Sequence, residues 1–91
     1  MGLKRTIPIT NLRGLHARAS RKVAEIALQY EDTHIVVRRD EDEADARSLM
    51  DLMMLGAGIG SEVEVEADGP AADRALDEIE ALIRAKFHEG E

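Results

Sequence analysis

Glu62-Val63-Glu64-Val65-Glu66-Ala67-Asp68 alternates acidic and small apolar side chains without a break. A period of two is a strand, with Val63, Val65 and Ala67 on one face and the glutamates on the other. A sheet built around it has one face against a core and one in water. Antiparallel sheets tolerate that, whereas parallel sheets are covered on both sides. The helices must then share one side. The predicted fold is of the α/β (α+β) class: an open two-layer sandwich, a four-stranded antiparallel sheet covered on one face by three helices.

Downstream, Asp68-Gly69-Pro70 is a turn, with Pro70 suited to the first position of a helix. That helix runs to about Phe87 and buries Ala72, Leu76, Ile79 and Ile83. Upstream, Gly56, Gly58 and Gly60 end a short helix spanning Ser48 to Leu55. A nucleotide loop follows a strand and opens a helix, so these glycines read as a C-cap and connector. Thr33 to Arg39 forms a strand, with Ile35 and Val37 facing one way and His34, Val36 and Arg38 the other. Asp40 to Glu43 is a polar turn, and Ala44 and Ala46 suit a short third strand. Ile7 and Ile9 mark a first strand, where Pro8 lacks a ladder donor and calls for an edge or a bulge. From His16 the period changes to that of a helix, through Ala19, Val23, Ile26, Ala27 and Tyr30. The order is β-α-β-β-α-β-α, and residues 1–91 are expected to form one unit.

Composition narrows the chemistry. The chain has 91 residues, 44% of them apolar and 34% charged, and no cysteine. Disulfides, thiol catalysis and sulfur-ligated zinc are excluded. Tyr30 and Phe87 are too few aromatics for a base-stacking platform, so no nucleic acid partner is expected. No apolar run approaches the roughly 18 residues of a membrane span. No secretory signal opens the chain, which is expected in the cytoplasm with no membrane partner. His34 and His88 share no ligand spacing with His16, so no metal and no cofactor are expected. The acidic run Asp40 to Asp45 lacks the glycine of a calcium loop. Within the net charge of −7, residues 1–39 are basic and residues 40–91 strongly acidic. Arg13, Arg18, Arg21 and Lys22 cluster around His16, a patch fit for an acidic partner or a phosphate.

Gly14-Leu15-His16-Ala17-Arg18-Ala19-Ser20 places that histidine where a loop becomes a helix. The first N–H groups of a helix lack intrahelical partners and, with the dipole, attract anions. The same positive end disfavours imidazolium and keeps the ring nucleophilic. Arg18 can reach the same anion with a planar fork. This suits a phosphoryl group held covalently on histidine. A surface histidine that merely begins a helix has the same spacing, and the residues alone leave both readings open.

Gly14-Leu15-His16-Ala17-Arg18 resembles the active-site motif of HPr, the histidine-containing phosphocarrier family of the bacterial phosphotransferase system. Arg47-Ser48-Leu49-Met50-Asp51-Leu52-Met53-Met54-Leu55 resembles the family's second signature, a serine opening a methionine-rich helix. The likeness covers about Lys4 to Phe87. It implies a monomeric carrier rather than an enzyme on a small substrate. His16 would accept phosphate from enzyme I at Nδ1, Arg18 would contact it, and an enzyme IIA protein would receive it. Ala19 and Ser20 stand where the family usually has proline then alanine, as in variants of nitrogen-related or regulatory branches.

Ser48 with Asp51 fits a capping box. In parts of the family the matching serine is phosphorylated by a dedicated serine kinase. A helix this short cannot bury all its apolar residues. Leu52 and Leu55 are assigned to the core, and Met50 and Met53 to the surface, where methionine adapts to several partners. The expected partner-binding set is Arg18, Ser20, Arg21, Leu49, Met50 and Met53. Two other classes compete: a regulatory interaction domain, and a metabolite-binding α/β domain in which His16 is incidental.

Overall fold

The alternating strand lies inside the sheet, with its valines against the core and its glutamates on the open face. A computed structural model describes residues 2–89. Its elements are β1 (Leu3–Pro8), α1 (Ala17–Gln29), β2 (His34–Arg39), β3 (Asp42–Asp45), α2 (Leu49–Met54), β4 (Glu62–Asp68) and α3 (Ala72–Arg84), followed by a 3₁₀ turn at Lys86–His88. The sheet order is β1-β4-β2-β3, with every pairing antiparallel. Register puts Ile7 opposite Val63, Val65 opposite Val37, and Val37 opposite Ala44. These side chains form one apolar sheet face, fully covered by the helices together with Leu52, Leu76, Ile79 and Phe87. Among the described residues, no helix is long and apolar enough to cross a membrane.

On the opposite face, Arg38 reaches Glu43 at 3.0 Å, Glu64 at 3.2 Å and Glu66 at 2.7 Å. One guanidinium thus offsets the repulsion between carboxylates that the alternation forces onto the same side, and it holds the Glu66 carboxyl below the usual carboxylate range. Val36 shares this face and is nevertheless buried. Pro8 ends β1, and β1 is an edge strand. The strand begins at Leu3, earlier than Ile7 and Ile9 alone suggest, and Ile9 continues the pairing through its N–H to the Ser61 carbonyl at 2.8 Å. β3 is the four-residue stretch Asp42–Asp45, so Asp42 and Glu43 of the expected polar turn belong to the strand and Ala46 lies just beyond it.

Three expectations need correction. Pro70 does not open a helix: α3 starts at Ala72, behind Ala71 with φ 59°. Pro70 stays in the turn, its carbonyl accepting from the Thr33 hydroxyl. The last helix also stops short of Phe87. It ends at Arg84, and Lys86, Phe87 and His88 take φ of 56°, 56° and 59°. A left-handed conformation costs roughly 1–2 kcal/mol per residue. Complete burial of Phe87 opposes that cost, as does a hydrogen bond from Lys22 Nζ to the Phe87 carbonyl. Finally, the capping box at Ser48 is half formed. Its Oγ accepts from the Asp51 N–H at 3.2 Å, but its own N–H donates to the Asp45 carbonyl at 2.9 Å.

Arg47 ties α2 to the end of α1 by donating to the carbonyls of Tyr30 and Glu31 at 2.8 and 2.6 Å. A cation there also suits the negative end of the helix dipole. On α2 itself, Leu52 is fully buried and Leu55 nearly so, while Met50 is 66% and Met53 41% exposed. Leu52→Ala should therefore cost about 2–5 kcal/mol. Each of Met50→Ser and Met53→Ser should stay within about 0.5 kcal/mol. Urea denaturation of the three variants checks the partition.

Candidate functional site

The loop between β1 and α1 is held by its backbone. Gly14 has φ +64°, and a Cβ there would lie 2.4 Å from the Ala57 carbonyl oxygen and 2.7 Å from the Gly58 Cα. The next residue uses this close approach: the Leu15 N–H donates to the Ala57 carbonyl at 2.8 Å. Ala57 lies just beyond α2, so the loop is clamped to the C-terminal end of that helix. Asn11, fully buried, braces it from within by donating Nδ2 to the Gly14 carbonyl at 2.8 Å.

His16 follows as the N-cap of α1, with extended backbone. Its carbonyl accepts the first helical bond, from the Ser20 N–H at 2.8 Å. The N–H groups of residues 17–19 therefore stand ahead of the ladder. The Arg18 N–H donates to His16 Nδ1 at 3.3 Å, so the ring occupies the place a serine or aspartate cap would take. The other ring nitrogen, Nε2, meets the Glu89 carboxylate. That carboxylate also accepts from Asn11 Nδ2 at 2.9 Å. The Asn11 amide foremost, then the His16 ring and the Arg13 charge, hold the Glu89 carboxyl below the usual range against the opposing push of burial.

Beside the ring is a cavity of about 420 Å³ lined by Leu12, Arg13, Arg18, Lys22, His88 and Glu89. Arg13, Arg18 and Lys22, set against the single carboxylate of Glu89, leave its lining net positive, which suits an anion. A larger hollow, about 600 Å³, lies over the open sheet face around Arg38 and Glu64. There Arg38 is already engaged by carboxylates and no histidine lines the hollow.

The structure thus brings His16 and Arg18 together, as their spacing suggested. Arg21 is exposed on the same face of α1, with Glu25 at 3.7 Å. Leu49, Met50 and Met53 are exposed on α2. Ser20 does not belong with them: it is fully buried, its hydroxyl donating to the Leu15 carbonyl at 3.2 Å. Four residues after His16, it falls on the inward stripe with Val23, Ala24 and Ala27. Ser48 opens α2, at the end away from Ala57. Asn11 and Glu89 were missed. Asn11 carried a faint local signal, an amide three residues before a glycine. Glu89, 73 positions from His16, carried none.

The chain matches the family described as PTS HPr component phosphorylation site over residues 3–85. It is 45% identical over 89 residues to the phosphocarrier protein HPr of Cupriavidus necator, covering 98% of this chain and 99% of that one. It is 41% identical over 90 residues to the phosphocarrier protein NPr of Escherichia coli K12, with the same coverage. The crystal structure of HPr-C-His from Thermoanaerobacter tengcongensis superposes with a TM-score of 0.90 at 33% identity, over 96% of this chain and 97% of that one.

Gly14→Ala should lose at least about 1 kcal/mol, because alanine is strained at positive φ and its methyl group meets the Ala57 carbonyl. The amide resonances of Leu15 and His16 should move with it. Thermal melts and an amide correlation spectrum check both.

Proposed function

The chain belongs to the HPr family of phosphocarrier proteins of the phosphotransferase system, and we propose that it carries a phosphoryl group on Nδ1 of His16, taken from enzyme I and passed to an enzyme IIA protein. The observation that carries this reading is the ring's position as the N-cap of α1, beside a cavity lined by Arg13, Arg18 and Lys22. Nδ1 attacks phosphorus with its lone pair, the new P–N bond forms, and the bond from phosphorus to the phospho-donor breaks, its electron pair staying with the donor. The Arg18 N–H, which had faced that lone pair, is released toward a phosphoryl oxygen. The Arg18 guanidinium stabilises the charge on the equatorial oxygens.

Exposed Leu49, Met50 and Met53, with Arg18 and Arg21, form the docking face for both partners in this reading, and the carrier works as a monomer. Ser48 is the second phosphorylation site, addressed by a serine kinase. Its oxygen caps α2, and a phosphate there would sit near Asp45 and Asp51. It therefore acts through repulsion at the docking face. Similarity to an NPr protein supports a second branch reading, in which the acceptor belongs to a nitrogen-related relay. The acceptor that drains the phosphoryl group separates the two.

Incubation with enzyme I and phosphoenolpyruvate should give an acid-labile, base-stable label. His16→Ala should abolish it without loss of fold. Arg18→Ala should label the same residue about 10²–10³-fold more slowly. An acid-labile label on folded His16→Ala would overturn the assignment. Association with enzyme I should slow as salt screens the basic cluster over a Debye length of about 8 Å.

A further inference from the structure

The C-terminal turn supplies a carboxylate that the proposed transfer has not yet used. Glu89 arrives at the site because Phe87 is buried and the chain turns left-handed through Lys86–His88. Its side chain is only 11% exposed, and that of His16 is 23% exposed. One carboxylate oxygen takes the Asn11 amide at 2.9 Å, and the other faces His16 Nε2. On the far side of the ring, Nδ1 accepts the Arg18 N–H at 3.3 Å. A nitrogen that accepts holds a lone pair, and one facing a carboxylate holds a proton. The two contacts demand the same tautomer from opposite ends of the ring.

We infer that Glu89 is a positioning residue for phosphoryl transfer: it keeps the His16 proton on Nε2, leaves the Nδ1 lone pair as nucleophile, and stabilises the positive ring formed when Nδ1 is phosphorylated. This rests on the reading of His16 as acceptor. The neutral ring carries its proton on Nε2. Nδ1 bonds to phosphorus as the phospho-donor's own bond to phosphorus breaks and the donor keeps the electron pair. The His16 ring, still protonated on Nε2, is now cationic, and the Glu89 carboxylate lies against it. In onward transfer the same proton lets the ring leave as a neutral imidazole. No proton moves to solvent in either direction. A hydrogen bond at one ring nitrogen decides what the other can do. Asn11 in turn fixes the carboxylate, and the Phe87 anchor delivers it.

The test uses full-length, ¹⁵N-labelled protein. At mildly alkaline pH, a long-range ¹H–¹⁵N correlation of wild type should show Nε2 protonated and Nδ1 bare. In Glu89→Ala the two His16 nitrogen shifts should converge, as both tautomers become populated. Its rate of phosphorylation by enzyme I should fall about tenfold or more. Glu89→Gln, whose amide oxygen still accepts, should keep the wild-type ring signature and lose rate through the missing charge. It also serves should the alanine variant fail to fold. A wild-type ring signature in Glu89→Ala would overturn the proposal, even with a slower rate, because the carboxylate would then act elsewhere. Converged shifts with an unchanged rate would overturn it equally. Wild-type protein with the expected ring signature but no label on His16 would instead overturn the phosphocarrier reading.

Discussion

Between residue 14 and the carbonyl of Ala57 there is no room for a side chain. That close approach lets the Leu15 N–H reach the Ala57 carbonyl, and it locks the loop before α1 to the end of α2. Without it, the backbone would enter α1 at another angle, and His16 would not cap the helix. The proposed carrier surface inherits the same constraint. The exposed methionines of α2 and the histidine of α1 belong to separate elements, and this junction sets their distance.

The half-buried His16 ring is held still from both sides. His16 is touched at both nitrogens, by an N–H from its own helix and by a carboxylate from the far end of the chain. Neither contact uses the basic side chains; Lys22 is tied to the Phe87 carbonyl, and the guanidinium groups of Arg13 and Arg18 line the cavity. In the proposed carrier, the cavity beside the ring therefore pairs a held imidazole with the cations of Arg13 and Arg18. That division suits a group that must arrive, stay briefly and leave. A tighter enclosure would favour the loaded state over transfer.

Much of this was legible in the sequence, for physical reasons that differ along the chain. The alternation at Glu62–Asp68 fixes which face of the sheet is dry, and it dictated the layer arrangement. The stripe from Ala19 to Tyr30 and the leucines of α2 followed from helical period. The histidine–arginine pair was readable because its chemistry is local. What escaped depends on distant packing. β3 was legible only around Ala44: Asp42 and Glu43, read as turn, pair with Arg39 and Arg38 because the turn after Arg39 returns the chain to β2. The left-handed turn at Lys86–His88 has no glycine to announce it and exists because Phe87 fills the core. Glu89 is delivered by that turn, so no spacing could reveal it. Ser20 was misjudged by proximity in sequence, since three residues of α1 separate exposed from buried positions more sharply than closeness to His16 unites them.

If the proposed transfer is right, Nδ1 of His16 is the accepting atom, the one ring position left with a lone pair. Phosphorylating ¹⁵N-labelled protein with enzyme I and phosphoenolpyruvate, then observing one-bond coupling between ³¹P and ¹⁵N, tests it most directly. The expected result is coupling at His16 Nδ1, with a proton retained on Nε2. Coupling at Nε2, or phosphate confined to Ser48 or to another histidine, would contradict the account.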